Sequence, residues 1–138
     1  KASAIVLKKE FTDVKDLLCI DYTSAYSTPS LDKLVRTFVY DRQGKGSFTV
    51  GDEFTANAPI RFETAITTQA NWKIIDDTHL LLTTGTEQMT VTIEASGKVA
   101  FTSETIEVNS PAYTRIGISL KEQSKDGYIR LTMRTKQL

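Results

Sequence analysis

The sequence predicts an all-β protein, an antiparallel β-sandwich of about ten strands. Apolar and polar residues alternate over short segments such as residues 89–95, which places the apolar side chains on one face of a strand. Gly, Asp, Asn or Pro separates these segments at regular intervals, and no helical spacing of apolar residues continues over a useful length. Short strands spaced in this way are typical of a β-sandwich, and a closed barrel is the second possibility.

The N-terminal half and the residues just after it contain seven predicted strands. Each is rich in β-branched or aromatic side chains, which suit a pleated surface, and each ends at a turn signal. In chain order they cover residues 3–7, 16–22, 34–41, 46–54, 60–68, 71–75 and 79–84.

A hairpin is predicted between the third and fourth of these strands. If residues 43–45 form its loop, the cross-strand pairs are Arg42 with Gly46, Tyr40 with Phe48, Phe38 with Val50 and Arg36 with Asp52. Each of these pairs is chemically compatible. We expect Arg36 and Asp52 to form a structural ion pair that fixes the register. The alternative is that these two charges contact an acidic ligand or a neighbouring domain.

The remaining strands complete the sandwich. Apolar residues alternate through residues 87–95 and resume at Val99, and Ser96 with Gly97 between them predicts a second hairpin. Residues 113–120 and 128–134 show the same alternation. The turn between these two strands is predicted at residues 125–127, Lys-Asp-Gly.

Length and charge limit the class of protein. A chain of 138 residues suits one domain with its own core, and we expect residues 1–138 to be such a domain taken from a longer chain, because they open without Met or a signal peptide. Seventeen basic and seventeen acidic residues balance, which argues against a nucleic-acid partner. No apolar run reaches the length of a membrane helix, so no membrane partner is predicted. Cys19 is the only cysteine, which excludes an internal disulfide.

The segment from Asp41 to Phe54 has the outline of a calcium-binding loop, but its chemistry does not fit one. In an EF-hand counted from Asp41, the third, fifth and twelfth positions provide oxygen ligands, the last of them from a bidentate Glu. Here those positions hold Gln43, Lys45 and Asp52. Lys45 would place a positive charge beside the ion, and both flanks have strand patterns where an EF-hand needs helices. We therefore predict no metal site and no cofactor.

Two aromatic residues are candidate contacts for a sugar ring. Trp72 and Tyr113 begin predicted strands beside polar loops, where exposure would allow stacking on a sugar; packing in the core is the alternative role. His79 is the only histidine and has no second His or Cys nearby in sequence with which to bind a metal. The chain also has no Gly-x-Ser-x-Gly nucleophile motif, and we predict no catalytic residue.

Five segments in a fixed order carry a family resemblance. They are "IDYTSAY", "LVRTFVYDRQGKGSFTVGDEF", "APIRFETAITTQANWKIIDD", "GTEQMTVTIEASG" and "RIGISL". This order resembles the β-sandwich of the heparinase II/III-like polysaccharide lyases, in which an Asp-x-Thr-x-x-Tyr stretch precedes an Arg-led strand, a short turn and a strand ending in Asp. The matching positions are Asp21, Thr23, Tyr26, Arg36 and Asp52.

The resemblance implies the C-terminal sandwich portion of such a lyase. Complete enzymes of the family carry an α/α toroid before the sandwich and cleave acidic polysaccharides by β-elimination, using a His-x-His-x-Asp type stretch that this chain lacks. The resemblance therefore implies a noncatalytic accessory domain. Its implied partners are the catalytic domain of the same parent chain and acidic polysaccharide, and its implied location is periplasmic or secreted.

Two other functions are compatible with the same pattern. An independent carbohydrate-binding module would use Trp72 and Tyr113 to contact glycan. A calycin-like barrel would instead carry a small apolar ligand inside, since alternating strands also build closed barrels.

Overall fold

The computed structural model describes residues 1–108 and 111–136, and these residues form an all-β fold. A short 3-10 helix, η1, spans Thr23–Ala25, and no helix in the described part of the chain is long and apolar enough to cross a membrane. The strands are β1 (Ile5–Phe11), β2 (Lys15–Asp21), β3 (Leu31–Asp41), β4 (Ser47–Ile60), β5 (Glu63–Thr68), β6 (Asn71–Asp76), β7 (His79–Thr84), β8 (Glu87–Ala95), β9 (Val99–Ile106), β10 (Tyr113–Leu120) and β11 (Ser124–Lys136).

The strands form two antiparallel sheets of unequal size. The large sheet has eight strands in the order β1-β2-β3-β4-β11-β8-β7-β6, and the small sheet has three in the order β5-β10-β9. This arrangement confirms the predicted antiparallel sandwich and differs from a closed barrel, because the large sheet ends in two edge strands, β1 and β6.

The core lies between the small sheet and part of the large one. In the large sheet, the buried apolar side chains come from β7, β8 and β11 and from one end of β3 and β4; in the small sheet they come from β10. Phe54 of β4 stacks on Phe62, with ring centroids 4.6 Å apart. The buried apolar cluster comprises Leu34, Phe54, Phe62, Leu80, Leu82, Val91, Ile93, Ile116, Ile118, Leu120, Ile129 and Leu131.

The hairpin of β3 and β4 has the predicted strand register. Arg36 lies opposite Asp52, Phe38 opposite Val50 and Tyr40 opposite Phe48. The ladder ends at Asp41 and Ser47, so the predicted pair of Arg42 and Gly46 belongs to the loop instead.

The loop explains why this segment has the outline of a calcium site. The Asp41 carboxylate accepts a hydrogen bond from the Gln43 backbone N–H at 2.8 Å, which turns the chain. Gly44 and Gly46 adopt φ values of 60° and 75°, a left-handed region that favours glycine. Asp and Gly are therefore required by the turn itself.

The hairpin predicted at Ser96 and Gly97 is wrong. β8 pairs with β7 and β11 in the large sheet, whereas β9 pairs with β10 in the small one, so the chain crosses between sheets at this point. The reason is that alternation requires only that apolar side chains face the core. A corner between two stacked sheets meets this requirement as well as a hairpin does.

The turn predicted at residues 125–127 is also wrong, because these residues lie inside β11, where Asp126 and Gly127 pair with β4 and Lys125 lies at a shift in register. Gly127 serves packing here: a Cβ at this position would lie 2.7 Å from Ser96 Oγ and 3.0 Å from Phe54 Cε1. The chain instead turns before Ser124, and β10 and β11 belong to different sheets.

Candidate functional site

A buried carboxylate forms the centre of the candidate site. Asp52 on β4 is 2% exposed, and Arg36 on β3 lies directly opposite it. Arg36 Nε donates to Asp52 Oδ1 at 2.7 Å, and Arg36 Nη2 donates to Oδ2 at 2.8 Å. The Tyr22 hydroxyl donates to the same Oδ1 at 2.9 Å. We call these three residues the Asp52 network.

The Arg36 side chain also packs on aromatic rings. Its guanidinium carbon lies 5.2 Å from the ring centroid of Tyr22 and 6.0 Å from that of Phe38. These distances allow cation–π attraction, which is stronger here because the group is only 31% exposed. Arg36 is thus fixed by the carboxylate and by both rings.

The Asp52 network favours a protonated tyrosine and a charged arginine. Burial raises the pKa of the Tyr22 phenol, and the negative charge of Asp52 raises it further. The hydrogen bond to Asp52 is the main cause that raises the pKa of the Arg36 guanidinium. Tyr22 is therefore a donor to a carboxylate and is poorly suited to remove a proton from a substrate.

A cleft of about 260 Å³ opens beside the Asp52 network. Tyr26 stands edge-on to Tyr22, with ring centroids 5.8 Å apart, and is 53% exposed. Arg61 is exposed at the cleft. Glu63, which also lines it, forms an ion pair with Arg115, with Glu63 Oε1 2.7 Å from Arg115 Nη2. We call this site the tyrosine cleft; its lining comprises Tyr22, Tyr26, Thr28, Leu31, Leu34, Arg36, Asp52, Ile60, Arg61, Phe62 and Glu63.

The chain segment before the cleft is held by its own hydrogen bonds. Asp21 Oδ1 accepts from the Thr23 backbone N–H at 3.0 Å and from its hydroxyl at 2.6 Å. Thr23 Oγ1 in turn accepts from the Leu34 backbone N–H at 2.8 Å. Asp21 and Thr23 therefore anchor η1 to β3 and set the positions of Tyr22 and Tyr26.

The two predicted sugar contacts lie away from the cleft. Trp72 on β6 is opposite Leu82, is partly buried and packs against the core. Tyr113 begins β10 and lines a shallow depression with Thr67, Thr68 and Gln69. Neither residue lines the cavity beside Arg36 and Asp52.

Among residues 1–108 and 111–136, no group of three or more His, Cys, Asp or Glu side chains could hold a metal ion. His79 Nδ1 lies 2.9 Å from Asp76 Oδ1, and that oxygen also accepts from the Thr78 backbone N–H at 2.8 Å. Cys19 is half-buried with its sulfur 3.5 Å from Thr37 Oγ1. These groups belong to local turn and strand contacts.

Part of the inner side of the large sheet is not covered by the small sheet. One cross-strand row shows where the cover ends: the exposed fraction is 0% at Val91, 38% at Phe48, 46% at Tyr40 and 65% at Phe11. In this row Met133 lies between Val91 and Phe48, and Asp16 lies between Tyr40 and Phe11. By strand alternation and register, eight apolar residues share this uncovered side, which we call the open face: Val6, Phe11, Leu18, Ile20, Phe38, Tyr40, Phe48 and Val50.

The outer side of the large sheet is different in character. A groove of about 560 Å³ crosses β3, β4 and β11, and its lining includes Thr37, Thr49, Glu53, Tyr128 and Arg130. Arg130 pairs with Glu94 at 3.3 Å and lies over the Tyr128 ring. The lining also includes Val35 and Val39, so this side mixes polar and apolar side chains.

Comparison with known proteins gives similarity at the level of structure. No family model and no curated protein sequence matches the chain. A crystal structure of heparinase III matches 100% of this chain with a TM-score of 0.77 and 16% identity, and the match covers 22% of that chain. Heparan sulfate lyase HepC from Pedobacter heparinus matches 98% of this chain with a TM-score of 0.75 and 14% identity, again over 22% of its own chain. A second heparinase III structure gives a TM-score of 0.71 and 12% identity over 97% of this chain and 22% of its own.

These matches confirm the resemblance inferred from the sequence at the level of fold. The chain has the fold of one portion of the heparinase III structures and spans 22% of their length. A shared fold at this identity does not carry activity with it.

Proposed function

We propose that this chain is a noncatalytic accessory β-sandwich domain of a heparinase II/III-like polysaccharide lyase. The observation that carries the proposal is the fold match, which extends over the whole chain but over only 22% of each heparinase. In such an enzyme the domain supports the catalytic part and contacts acidic polysaccharide. Its location would be periplasmic or secreted, where such substrates are found.

The chemistry of the described side chains supports a noncatalytic role. β-Elimination needs a base, usually Tyr or His, and groups that neutralise the carboxylate of the sugar. Tyr22 donates to Asp52 and has a raised pKa, and His79 lies on a turn beside Asp76. Tyr22 lies beside Arg36 in the tyrosine cleft, but its hydroxyl proton is directed to Asp52, and the charged partner of His79 is an acid.

Elimination by the isolated chain is the first test. The purified chain is incubated with heparin, heparan sulfate and alginate, and the ultraviolet absorbance of the unsaturated uronate is followed. We expect no product. Turnover that persists through stringent purification would overturn the noncatalytic assignment.

The reading frame upstream of Lys1 is the second test. An accessory domain requires a catalytic segment in the same chain, and we expect a large helical toroid there. A signal peptide joined directly to Lys1 would instead favour an independent carbohydrate-binding module.

The tyrosine cleft is the surface that best supports glycan contact. Tyr26 offers an exposed aromatic face, and Arg61 and Arg36 provide charged donors beside it. The charges of Arg36 and Glu63 are balanced by Asp52 and Arg115, so Arg61 leaves the cleft a net positive charge. An acidic sugar unit has the matching charge and a ring that can stack.

Calorimetry with heparan sulfate oligosaccharides tests this contact. We expect Arg61→Ala to weaken binding about tenfold, because a charge-assisted hydrogen bond contributes about 1.5 kcal/mol or more. Arg134→Ala is the matched control, since Arg134 is an exposed arginine on β11 far along the sheet from the cleft. Equal loss in both variants would indicate nonspecific charge attraction. If affinity falls only in Trp72→Ala or Tyr113→Ala, the glycan binds at the residues predicted from the sequence and not at the tyrosine cleft.

A further inference from the structure

We propose that the open face is the surface through which this domain packs against an apolar face of the remaining polypeptide in a longer, heparinase III-like chain. This inference rests on the proposed function. It names the surface and its occupant, which the fold match alone leaves undefined.

The open face is continuous with the core. Leu131 and Ile93 are 2% and 3% exposed, and the same row of opposed residues continues through Val50 and Phe38 to Leu18 without an intervening polar residue. The side chains are thus of core type, but the small sheet stops short of them. Contiguous apolar surface of this kind marks an interaction site.

Aromatic side chains make up much of the open face. Phe38 and Phe48 stack on each other with ring centroids 6.4 Å apart, and Tyr40 and Phe11 extend the apolar surface toward the edge strand. Rigid aromatic groups held on strands lose little conformational entropy when a partner covers them. They are the residue type that contributes most to protein interfaces.

The open face carries little net charge. Arg36, which lies opposite Ile20, is paired with Asp52, and Asp16, which lies between Tyr40 and Phe11 within the open face, is paired with Arg42; these charges are therefore balanced within the domain. One further charged residue, Lys9 on the edge strand β1, lies on the same side of the sheet as the open face, opposite Leu18. A surface with so little net charge does not suit a polyanion or an anionic membrane. It suits an apolar protein surface.

The length of the matched heparinases indicates which partner covers the open face. In the heparinase III structures compared above and in HepC, the match covers 21% or 22% of the chain, so most of the polypeptide lies outside it. A covalently attached partner has a high effective concentration at the open face and outcompetes a second copy of the domain. The remaining polypeptide of the parent chain is therefore the occupant we assign.

Hydroxyl-radical footprinting tests the assignment. Residues 1–138 alone and the full product of the reading frame are labelled in parallel, and the oxidation rate of each side chain is compared between the two samples. We expect Phe11, Tyr40 and Phe48 to lose labelling in the full product and to approach the rate of buried Phe54. Tyr128, which is 39% exposed and lies on the outer side, is the matched control for Phe48 at 38% and should keep its rate.

Two outcomes would overturn the inference. In one, the three side chains are labelled equally in both samples although the reading frame encodes a lyase-like segment. In the other, their labelling falls with rising concentration of residues 1–138 alone, which would identify a second copy as the occupant. A reading frame without any lyase-like segment is a different result, because it removes the proposed function itself.

A pair of variants separates docking from folding. Phe48→Lys and Tyr128→Lys place the same charge at positions of nearly equal exposure on opposite sides of the large sheet. We expect both variants of residues 1–138 to keep their β-sheet circular dichroism. In the full product, only Phe48→Lys should restore labelling of Phe11 and Tyr40. Restoration by both variants, or by neither, would contradict the assignment.

Discussion

Asp52 is a charged side chain that is almost fully buried, and its neighbours make this tolerable. Burying a carboxylate costs several kcal/mol unless hydrogen bonds and an opposite charge compensate for the lost water. Asp52 receives two hydrogen bonds from Arg36 and one from Tyr22. The network therefore connects β3, β4 and the residue that follows β2 around a single carboxylate.

Removing the carboxylate should destabilise the fold. In Asp52→Ala, the half-buried Arg36 and Tyr22 lose their acceptor, and we expect the free energy of unfolding to fall by about 2–3 kcal/mol, below the full cost for a buried pair because Arg36 is partly hydrated. Urea denaturation measures this change. Asp16→Ala is the control, because it breaks the more exposed ion pair with Arg42 and should have a clearly smaller effect. Equal losses would show that burial of the Asp52 network does not matter.

Asp76 gives a prediction for pH dependence. Its pKa is lowered to about 2, first by the Thr78 backbone N–H and then by His79. Because the folded pKa lies below the ordinary value of 3.8, the ionised carboxylate stabilises the fold above that pH, and this contribution is lost as the pH falls toward 2. We expect an NMR titration of the Asp76 carboxyl carbon to show the low midpoint, and His79→Gln to retain most of the lowering. A midpoint at the ordinary value in the parent chain would contradict the Thr78 hydrogen bond.

Part of the Asp52 network is predictable from the sequence. Arg36 and Asp52 were predicted to face each other because a short loop fixes the register of the strands on either side of it. Tyr22 was not predicted to join them, since it is 30 residues from Asp52 and its contact depends on the fold of η1. The alternation of Leu18, Ile20 and Tyr22 was the available signal, because it places Tyr22 on the side of the sheet that carries Arg36.

At the scale of strands and turns, local pairings were predictable and distant ones were not. The geometry of the loop between β3 and β4 is determined by residues within it, Asp41, Gly44 and Gly46. The connection after β8 also contains residues typical of a turn, but β8 and β9 belong to different sheets. Whether β8 and β9 pair with each other depends on two later strands, because β11 pairs with β8 and β10 pairs with β9. The residues at the turn contain no information about these distant pairings.

Gly127 illustrates the same limit and gives a prediction. Glycine was interpreted as a turn residue, but it lies within β11 where a Cβ would contact Ser96, Phe54 and Leu120 at 2.7, 3.0 and 3.1 Å. We expect Gly127→Ala to lower the free energy of unfolding by about 1–3 kcal/mol through overpacking. Gly97→Ala is the control, because nothing lies within 4 Å of the added Cβ. Thermal melting of the two variants measures the difference, and a neutral Gly127→Ala would show that the strands separate easily to admit a methyl group.

At the scale of the whole molecule, the inequality of the two sheets is the dominant feature. Three strands cannot cover eight, so the inner side of the large sheet is divided into a closed core and the open face. The alternating pattern predicted that an inner side exists, because apolar residues occupy every second position. It did not predict how much of this side the small sheet covers, since Phe48 and Val91 both lie in alternating segments but are 38% and 0% exposed.

This inequality predicts that residues 1–138 alone bind an apolar dye. We expect anilinonaphthalene sulfonate fluorescence to rise on addition of the folded domain and to fall in Phe48→Lys, which interrupts the open face. Tyr128→Lys should leave the fluorescence unchanged. Dye binding that is equal in the parent chain and in Phe48→Lys would mean that the dye reports another surface or a loosened core.

The position of β11 has a consequence for synthesis of the protein. This strand is the last of the described strands in the chain, yet it lies in the middle of the large sheet, between β4 and β8. Until residue 136 has left the ribosome, β4 and β8 have no partner on their inner edges, and the large sheet exists only as two separate groups of strands. Folding of this domain must therefore be completed after translation of its final strand, and a nascent chain that stalls before residue 124 exposes two strand edges to its neighbours.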